Sequence, residues 1–431
     1  MTDPAAGALN GIRVLEFSQI VAGPIAGITL ADLGADVVKV EPLGGEETRT
    51  SASVVPGESK IFQALNRGKR SLTVDLRSPD GVALIHRIVP AFDVVAINYR
   101  AGVAERLGID YDTLRALRSD LIYWQNTGFG EDGPQVTRAG SDLVAQAYSG
   151  LMVLSGRADE EGARHLVNVP IADTASGLAA AVGICAALLH RERTGEGQYV
   201  STSLLRTALF LQSSAVMREP VHDSVMRDPL IEELTRLRTS GGSWGEILEA
   251  RRPDEAAYGG FFLYYAVYRT KDGAIALGAL TASNRNAIRR VLGIEGQERS
   301  DDPDFDPADR QSAAEIARWK AELQTRFIER TSQEWVRDLD AVGTPVSAVQ
   351  LPEEMADDPQ VIADGMVTAL THDITGPQRV VGPIVQMSAT PTAAHRASPG
   401  LGAHSTELLL ELGLSGDEVE QLVDRGAIGQ L

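Results

Sequence analysis

The chain has 431 residues, more than one hydrophobic core normally holds, so its length predicts two domains or a large domain with a smaller lobe. With 43% hydrophobic and 23% charged residues, it has the composition of a soluble globular protein. Its formal net charge of -19 argues against a general nucleic-acid or membrane-surface binder, because the mean field of the protein repels a polyanion.

Cysteine and histidine usage limits the cofactor chemistry. The single cysteine, Cys185, excludes an internal disulfide and any multi-cysteine zinc or iron–sulfur site. The seven histidines are scattered, and no two have the spacing of metal ligands on one helix, so we expect no metal centre. The first residues lack a basic segment followed by an apolar one, so we expect no signal peptide and a cytoplasmic protein.

The first part of the chain alternates between strand and helix patterns. Residues 12–17 are predicted as a strand, a helix follows from Pro24, and 36–41 form the next strand. Further strands are predicted at 71–76, 93–98 and 121–126. Strands that alternate with helices indicate an α/β domain with a mostly parallel sheet, whose ligands bind at the carboxyl ends of the strands.

The second part of the chain changes character after a long apolar helix at 174–193. We predict a linker over 206–229 and a smaller α+β domain over 230–344. From 345 the chain follows a return path, with a hairpin across 371–381 and a last helix opened by a capping box at 415–418.

The segment from Gly128 to Gly133 matches the G-x-G-x-x-G pattern of dinucleotide-binding loops. In those loops a helix begins among the glycines and directs its N-terminus at the pyrophosphate. Here Pro134 follows at once, and Glu131 and Asp132 would place negative charge against a phosphate. A glycine turn is therefore the better interpretation, with a nicotinamide site as the weaker alternative.

Basic residues cluster near the ends of the predicted strands. They comprise the run 66–70 together with Arg77, Arg100 and Arg106. In so acidic a chain, cations concentrated at strand ends could form a local phosphate site, or they could serve only as a solubilising surface. Their spacing leaves both interpretations open.

Asp173 precedes the apolar helix and is open to two interpretations. An aspartate at this point is a natural N-cap, whose carboxylate accepts a hydrogen bond from a free backbone N–H. The alternative is a catalytic carboxylate, held ionised by the helix N-terminus while neighbouring N–H groups stabilise an oxyanion. N-caps are far commoner than nucleophiles, so the residue pattern alone favours the structural role.

Several stretches together resemble the class III CoA-transferase family, also called the CaiB/BaiF family. The resemblance covers about 1–205 and 345–431, in order and with consistent spacing. The stretches that carry it are G-I-R-V-L-E-F-S-Q-I-V-A-G-P, L-A-D-L-G-A-D-V-V-K-V-E-P, N-R-G-K-R-S-L-T-V-D-L, T-G-F-G-E-D-G-P, P-I-A-D-T-A-S-G, R-E-R-T-G-E-G-Q-Y-V and P-G-L-G-A-H-S-T-E-L-L-L-E-L-G-L-S.

The resemblance implies an architecture and an activity. It implies a Rossmann-like large domain built from 1–205 and 345–431, a small middle domain, and a homodimer of two interlocked rings. It also implies an acyl-CoA:carboxylate CoA-transferase in which Asp173 is the nucleophile and passes through a mixed anhydride and an aspartyl-CoA thioester. Coenzyme A is then a substrate, with no tightly bound cofactor and no metal.

The same resemblance assigns residues to the CoA site. Val21 and Ala22 would line it after the first strand, and further contacts to the nucleotide and pantetheine would come from Leu76, Arg77, Asn98, Tyr99, Arg100 and Arg106.

A racemase and a CoA-binding protein without turnover are the two alternatives that remain open, while this sequence departs from the formyl-CoA branch of the family. The family's 2-methylacyl-CoA racemase branch has a histidine before an aspartate in the stretch that here contains Ser141, and a serine cannot do general acid–base work near neutral pH. The formyl-CoA branch carries a glycine-rich loop in its middle domain, for which this chain offers only 240–245 and 258–262. A CoA-binding protein without turnover is the other alternative, favoured if Asp173 is only an N-cap.

Overall fold

The structure is a computed structural model that describes residues 7–156, 169–251, 261–294 and 310–429. The chain divides into two compact units. The large unit combines Met1–Arg218 with Ala356–Leu431, and the middle unit is Glu219–Met355.

A six-stranded sheet forms the centre of the large unit. Its strands are β1 (Arg13–Phe17), β2 (Asp36–Glu41), β3 (Arg70–Thr73), β4 (Val94–Ile97), β5 (Ile122–Thr127) and β6 (Tyr199–Ser203). All neighbours pair in parallel in the order β3-β2-β1-β4-β5-β6, which confirms the predicted α/β class. This is the strand order of Rossmann folds, whose ligands bind where the order reverses, here between β1 and β4.

The helices of the large unit follow and cover these strands. They are α1 (Ala22–Asp32), α2 (Lys60–Asn66), α3 (Pro79–Ile88), α4 (Val103–Leu107), α5 (Tyr111–Arg115), α6 (Asp142–Ser149), α7 (Leu151–Leu154), α8 (Ile171–Thr194), α9 (Leu204–Phe210) and α10 (Ser213–Val216). The segment predicted as a linker, 206–229, is largely helical and is divided between the two units.

The middle unit is an α+β assembly. Its elements are α11 (Pro220–His222), α12 (Asp228–Thr239), α13 (Trp244–Arg251), α14 (Phe261–Tyr264), β7 (Tyr265–Arg269), β8 (Ala274–Gly278), α15 (Ala282–Leu292), α16 (Arg310–Phe327), α17 (Ser332–Asp340) and β9 (Val346–Ala348). Residues 345–355 lie in this unit rather than in the large one, because β9 pairs with β8 and completes a three-stranded sheet.

The C-terminal part of the chain returns to the large unit. It contains α18 (Pro359–Ala363), β10 (Val367–His372), β11 (Gly376–Val381), α19 (Ser405–Glu411) and α20 (Gly416–Asp424). The predicted hairpin is confirmed by the antiparallel pair β10–β11, and the predicted capping box by the reciprocal bonds of Ser415 and Glu418.

The two faces of the parallel sheet are both buried, as expected for alternating side chains in a covered sheet. On one face, Val14, Val94 and Trp124 pack with residues of α1 and α8. On the other, Leu15 packs in a cluster that includes Leu408 of α19. A backbone hydrogen bond of 2.9 Å from Asp75 N to Ala427 O further joins the C-terminal segment to the region just after β3. Both ends of the chain therefore build one core.

Helix α8 is the one described helix long and apolar enough to cross a membrane, with 24 residues and a mean hydropathy of 1.7 in its most apolar window. It packs instead against α1, α9, β5 and β6 inside the large unit. Its buried residues, which include Ala180, Ala181 and Ile184, complete the core beside α1, whereas Val182 and Leu189 are exposed.

Candidate active site

Asp173 lies in the first turn of α8, and the interpretation of this residue as the N-cap is wrong. Pro170 occupies the N-cap position and contributes no side-chain acceptor. The carboxylate of Asp142 supplies the missing acceptor. Its Oδ1 accepts hydrogen bonds from Ala172 N at 2.8 Å and from Asp173 N at 3.1 Å. Because another residue caps the helix, the Asp173 carboxylate is not needed for that structural role.

Asp142 is itself held from two sides. It begins α6, where Ser141 is the N-cap and accepts a hydrogen bond from Val144 N at 3.5 Å. Its Oδ2 accepts a hydrogen bond from Nε2 of Gln146, a buried residue one helical turn further on. One oxygen of Asp142 therefore faces its own helix, and the other faces the N-terminus of α8.

The electrostatic environment raises the pKa of Asp173 to about 7. The main cause is burial, which removes water from the ionised form, and the second is the negative charge of Asp142. No described group donates a hydrogen bond to the Asp173 side chain. A half-buried carboxylate that has no described hydrogen-bond donor and is partly ionised at neutral pH is suited to nucleophilic attack.

The same contacts correct the expectation of an oxyanion site at the start of this helix. The N–H groups of Ala172 and Asp173 donate hydrogen bonds to Oδ1 of Asp142, and Thr174 N donates to Pro170 O at 2.8 Å. These three donors are therefore already engaged. Stabilisation of a developing oxyanion would have to come from other groups.

A buried polar contact fixes α8 to the ends of two strands. Asn126, at the carboxyl end of β5, accepts hydrogen bonds through Oδ1 from Ser176 Oγ at 2.6 Å and from Thr202 Oγ1 of β6 at 2.9 Å. Ser176 is three residues after Asp173 and lies on a neighbouring position of the helix surface. The candidate nucleophile is thus held at the carboxyl edge of the parallel sheet.

Helices α1 and α8 approach each other closely at Gly177. A Cβ atom there would lie 2.5 Å from Ala22 O and 2.7 Å from Ile25 Cβ, so only glycine fits. Ala22 also shares a small buried cluster with Ala172. The structure therefore brings Ala22, one of the residues assigned to the CoA site, beside the helix turn that carries Asp173. Val21 is the buried residue at the N-cap position of α1.

The side chain of Asn98, predicted to contact CoA, forms two hydrogen bonds to the backbone of Gln19. Its Oδ1 accepts a hydrogen bond from Gln19 N at 2.9 Å, and its Nδ2 donates to Gln19 O at 2.7 Å. These bonds join the residue after β4 to the turn between β1 and α1, across the point where the strand order reverses. Asn98 therefore stabilises the backbone of the β1–α1 turn at the predicted binding crevice.

Three other predicted contacts line one cavity of about 170 Å³ in the large unit. Leu76, Arg77 and Tyr99 form part of its wall, with Leu107 of α4 beside them. The cavity is smaller than a typical ligand pocket of about 300 Å³ or more, so it could hold only part of a CoA molecule. Arg100 and Arg106 are exposed and do not line it.

The basic run 66–70 is not a phosphate site, because its cations are paired with carboxylates. Arg67 pairs with Asp32, Lys69 Nζ lies 2.8 Å from Glu16, and Arg70 bonds to Asp36 and Glu411. Those carboxylates come from distant parts of the chain, so their positions could not be deduced from local charge. Arg77 is 87% exposed and pairs with Asp75, which leaves its side chain open to a ligand.

The glycine-rich segment after β5 is a turn, as the sequence predicted. No helix begins within 128–133, and the next helix is α6. A Cβ atom on Gly128 would lie 2.7 Å from the Cα of Gly140, so this glycine permits a close approach of two backbone segments. Within the described part of the chain, no group of three or more acidic, histidine or cysteine side chains could hold a metal ion.

Sequence reasoning did not find the role of Asp142 or of Asn126. The stretch around Ser141 lacks the histidine of the racemase branch, and the carboxylate of Asp142 beside it caps a helix 30 residues further along the chain. Such a contact leaves no local pattern. Ser176 and Gly177 belong to the P-I-A-D-T-A-S-G stretch, and their small size was the available signal.

Comparisons with known proteins agree with this geometry. A sequence model of CoA-transferase family III matches residues 9–405. The chain is 33% identical over 413 residues to a succinate–glutarate CoA-transferase of Agrobacterium fabrum, covering 94% of this chain and 95% of the relative. It is 32% identical over 425 residues to a succinyl-CoA:mesaconate CoA-transferase of Haloarcula marismortui, covering 95% and 97%.

A solved structure gives the same result. The crystal structure of a CaiB/BaiF family protein from Brucella suis is similar with a TM-score of 0.73 and 29% sequence identity, covering 94% of this chain and all of the other.

Proposed function

The chain belongs to CoA-transferase family III, and from this premise we propose that it moves coenzyme A between carboxylic acids with Asp173 as the nucleophile. The observation that carries the proposal is the environment of the Asp173 side chain. This side chain is half-buried, its pKa is raised to about 7, and the carboxylate of Asp142 caps the helix in its place.

In the first half-reaction the Asp173 carboxylate attacks the thioester carbonyl of an acyl-CoA. The carbon–sulfur bond breaks, leaving a mixed anhydride on Asp173 and a CoA thiolate. The thiolate then attacks the aspartyl carbonyl of the anhydride. The donor's carboxylate leaves, and an aspartyl-CoA thioester remains.

The second half-reaction reverses these steps with another acid. The acceptor carboxylate attacks the aspartyl carbonyl, the CoA thiolate leaves, and a new mixed anhydride forms. The thiolate attacks the acceptor's acyl carbonyl, which yields the new acyl-CoA and restores the Asp173 carboxylate. The thioester energy is retained in covalent intermediates, so the sequence of steps requires no metal and no resident cofactor.

Asp142 supports this chemistry in two ways. Its hydrogen bonds orient the first turn of α8, and its charge opposes ionisation of Asp173. A carboxylate of raised pKa is a stronger nucleophile than one of ordinary pKa. Forming the anhydride removes the negative charge of Asp173, so the repulsion from Asp142 is relieved as the reaction proceeds.

We propose dicarboxylates as the substrate class, with succinyl-CoA as the first donor to test. The support comes from relatives whose names specify succinate, glutarate and mesaconate. Glutarate and mesaconate are the matching acceptors. We further propose a homodimer, as the family resemblance implies, and a cytoplasmic location.

Mass spectrometry tests the covalent step. The protein is incubated with succinyl-CoA and treated with hydroxylamine, which should convert an activated Asp173 into a hydroxamate. The modification should disappear in Asp173→Asn and persist in Asp132→Asn, a control that removes an exposed carboxylate. If no tested donor gives an adduct, while solvent deuterium enters the α-carbon of an acyl-CoA, the activity is instead that of an isomerase.

A further inference from the structure

We propose that Glu46 is a positioning residue of the transfer reaction: through the backbone N–H of Ile20, its carboxylate holds the β1–α1 turn in a strained conformation that places Val21 and Ala22 beside the Asp173 site. This inference rests on the proposed function, because it concerns the same site. Glu46 acts through the turn, so it is not itself a catalytic residue.

The strain is located at Ile20. This residue has a φ of 70°, in the left-handed region, although its side chain is β-branched. Branching at Cβ makes that region unfavourable, and such a conformation persists only where surrounding contacts impose it. In the described chain one other non-glycine residue has a positive φ, Ala52 at 51°.

The contacts that impose the conformation act on two successive peptide groups. Asn98 bonds to both the N–H and the carbonyl oxygen of Gln19, at 2.9 and 2.7 Å. Oε2 of Glu46 then accepts the N–H of Ile20 at 3.3 Å. Glu46 therefore supplies the side-chain contact on the strained residue itself.

Glu46 is a rigid support because it is buried, with an exposure of 3%. Lys39 Nζ lies 3.2 Å from its Oε2, and the Thr48 hydroxyl donates to its Oε1. Lys39 also donates to Ser18 O at 2.7 Å, just before the turn. The same ammonium group thus fixes both the start of the turn and the carboxylate that holds it.

The turn leads directly to the candidate active site. Ala22 begins α1 two residues after Ile20, and its carbonyl oxygen is in close contact with the position of Gly177 on α8. Ala22 and Ala172 also belong to one buried cluster. A relaxed turn would therefore move the start of α1 relative to the helix turn that carries Asp173.

A double-mutant cycle tests the proposal. Glu46→Ala should lower kcat/KM for acyl-CoA about tenfold, because the unsupported turn relaxes away from the left-handed conformation. Ile20→Gly should restore most of that loss in the Glu46→Ala background, because glycine adopts a positive φ without steric cost. The remaining effect of Glu46→Ala should be less than about threefold in the Ile20→Gly background.

Matched variants separate this role from general support of the fold. Ala52→Gly relieves the other left-handed residue and should neither change activity nor rescue Glu46→Ala. Glu46→Gln keeps an oxygen acceptor for Ile20 and should remain within about threefold of the wild type. Glu46→Met, which has a similar volume but no acceptor, replaces Glu46→Ala if that variant yields no folded protein.

Three outcomes would overturn the inference: full activity in Glu46→Ala, a loss that Ile20→Gly does not reduce, or an equal loss in Glu46→Gln, which would locate the effect in the Lys39 ion pair. Failure of the proposed function looks different. In that case the wild type itself transfers no CoA between the tested acids, whatever the activity of the Glu46 and Ile20 variants.

Discussion

Asp142 and Asp173 are joined by a hydrogen bond of 3.1 Å in which the carboxylate of Asp142 accepts the backbone N–H of Asp173. The half-buried carboxylate of Asp142 thereby caps the N-terminus of α8, while no described group donates a hydrogen bond to the carboxylate of Asp173. The arrangement explains why the nucleophile candidate is both well oriented and difficult to ionise.

Asp142→Asn should shift the pH dependence of activity. The reactive form of Asp173 is ionised, so kcat/KM should fall as the pH decreases through about 7 in the wild type. The amide keeps an oxygen for the helix N–H groups but removes the repulsive charge, so the acid midpoint should move down by about one pH unit. A pH–rate profile with an unchanged midpoint would contradict the charge effect.

Asp173→Asn should stabilise the protein while abolishing transfer. The folded-state pKa of Asp173, about 7, exceeds the ordinary value of 3.8, so its contribution favours folding at low pH and is lost as the pH rises through 7. At pH 8 the substitution should raise the free energy of unfolding by roughly 2 kcal/mol. Urea unfolding should show a smaller gain at pH 5 than at pH 8, and an equal gain at both would argue against it.

Gly177→Ala should separate the two helices of the site. The added methyl group would meet Ala22 O at 2.5 Å, and backbone atoms cannot rotate away as a side chain can. We expect a loss of roughly 1 to 3 kcal/mol in unfolding free energy, together with reduced activity. Gly416→Ala is the control, since a Cβ there meets nothing within 4 Å and should cost no stability. Chemical denaturation and steady-state assays measure both effects.

Arg77→Ala should weaken CoA binding about tenfold, because a charge-assisted contact to phosphate is lost. Calorimetry with CoA is the measurement. Arg87→Ala removes a comparable exposed arginine, paired with Glu418, and should leave affinity unchanged. Equal affinities for the wild type and Arg77→Ala would remove Arg77 from the CoA site.

The sequence predicted the parallel α/β sheet because buried parallel strands and amphipathic helices leave strong periodic patterns. Through the surrounding family pattern it also indicated Asp173 as the candidate nucleophile, a role that stays a prediction. It did not predict that Arg67, Lys69 and Arg70 would be paired, because their partners are distant in sequence and meet them only in the folded chain. Local charge indicates what a side chain can bind, and tertiary structure decides which group it meets.

The N-cap interpretation of Asp173 failed for a related reason. A helix N-terminus requires acceptors, and the nearest suitable side chain in sequence was a reasonable choice. The acceptor comes instead from α6, 30 residues earlier in the chain, and the preference for capping residues does not specify which segment supplies them.

The return of the chain to its first sheet has a consequence for biosynthesis. Leu408, Leu409 and Val419 complete the core on one face of a sheet whose strands all lie before residue 204. During synthesis these strands leave the ribosome about two hundred residues before α19 and α20. Helix α3 supplies Leu84, Ile85 and Ile88 to the same face, so the nascent large unit exposes only the part of this face that the two C-terminal helices later cover.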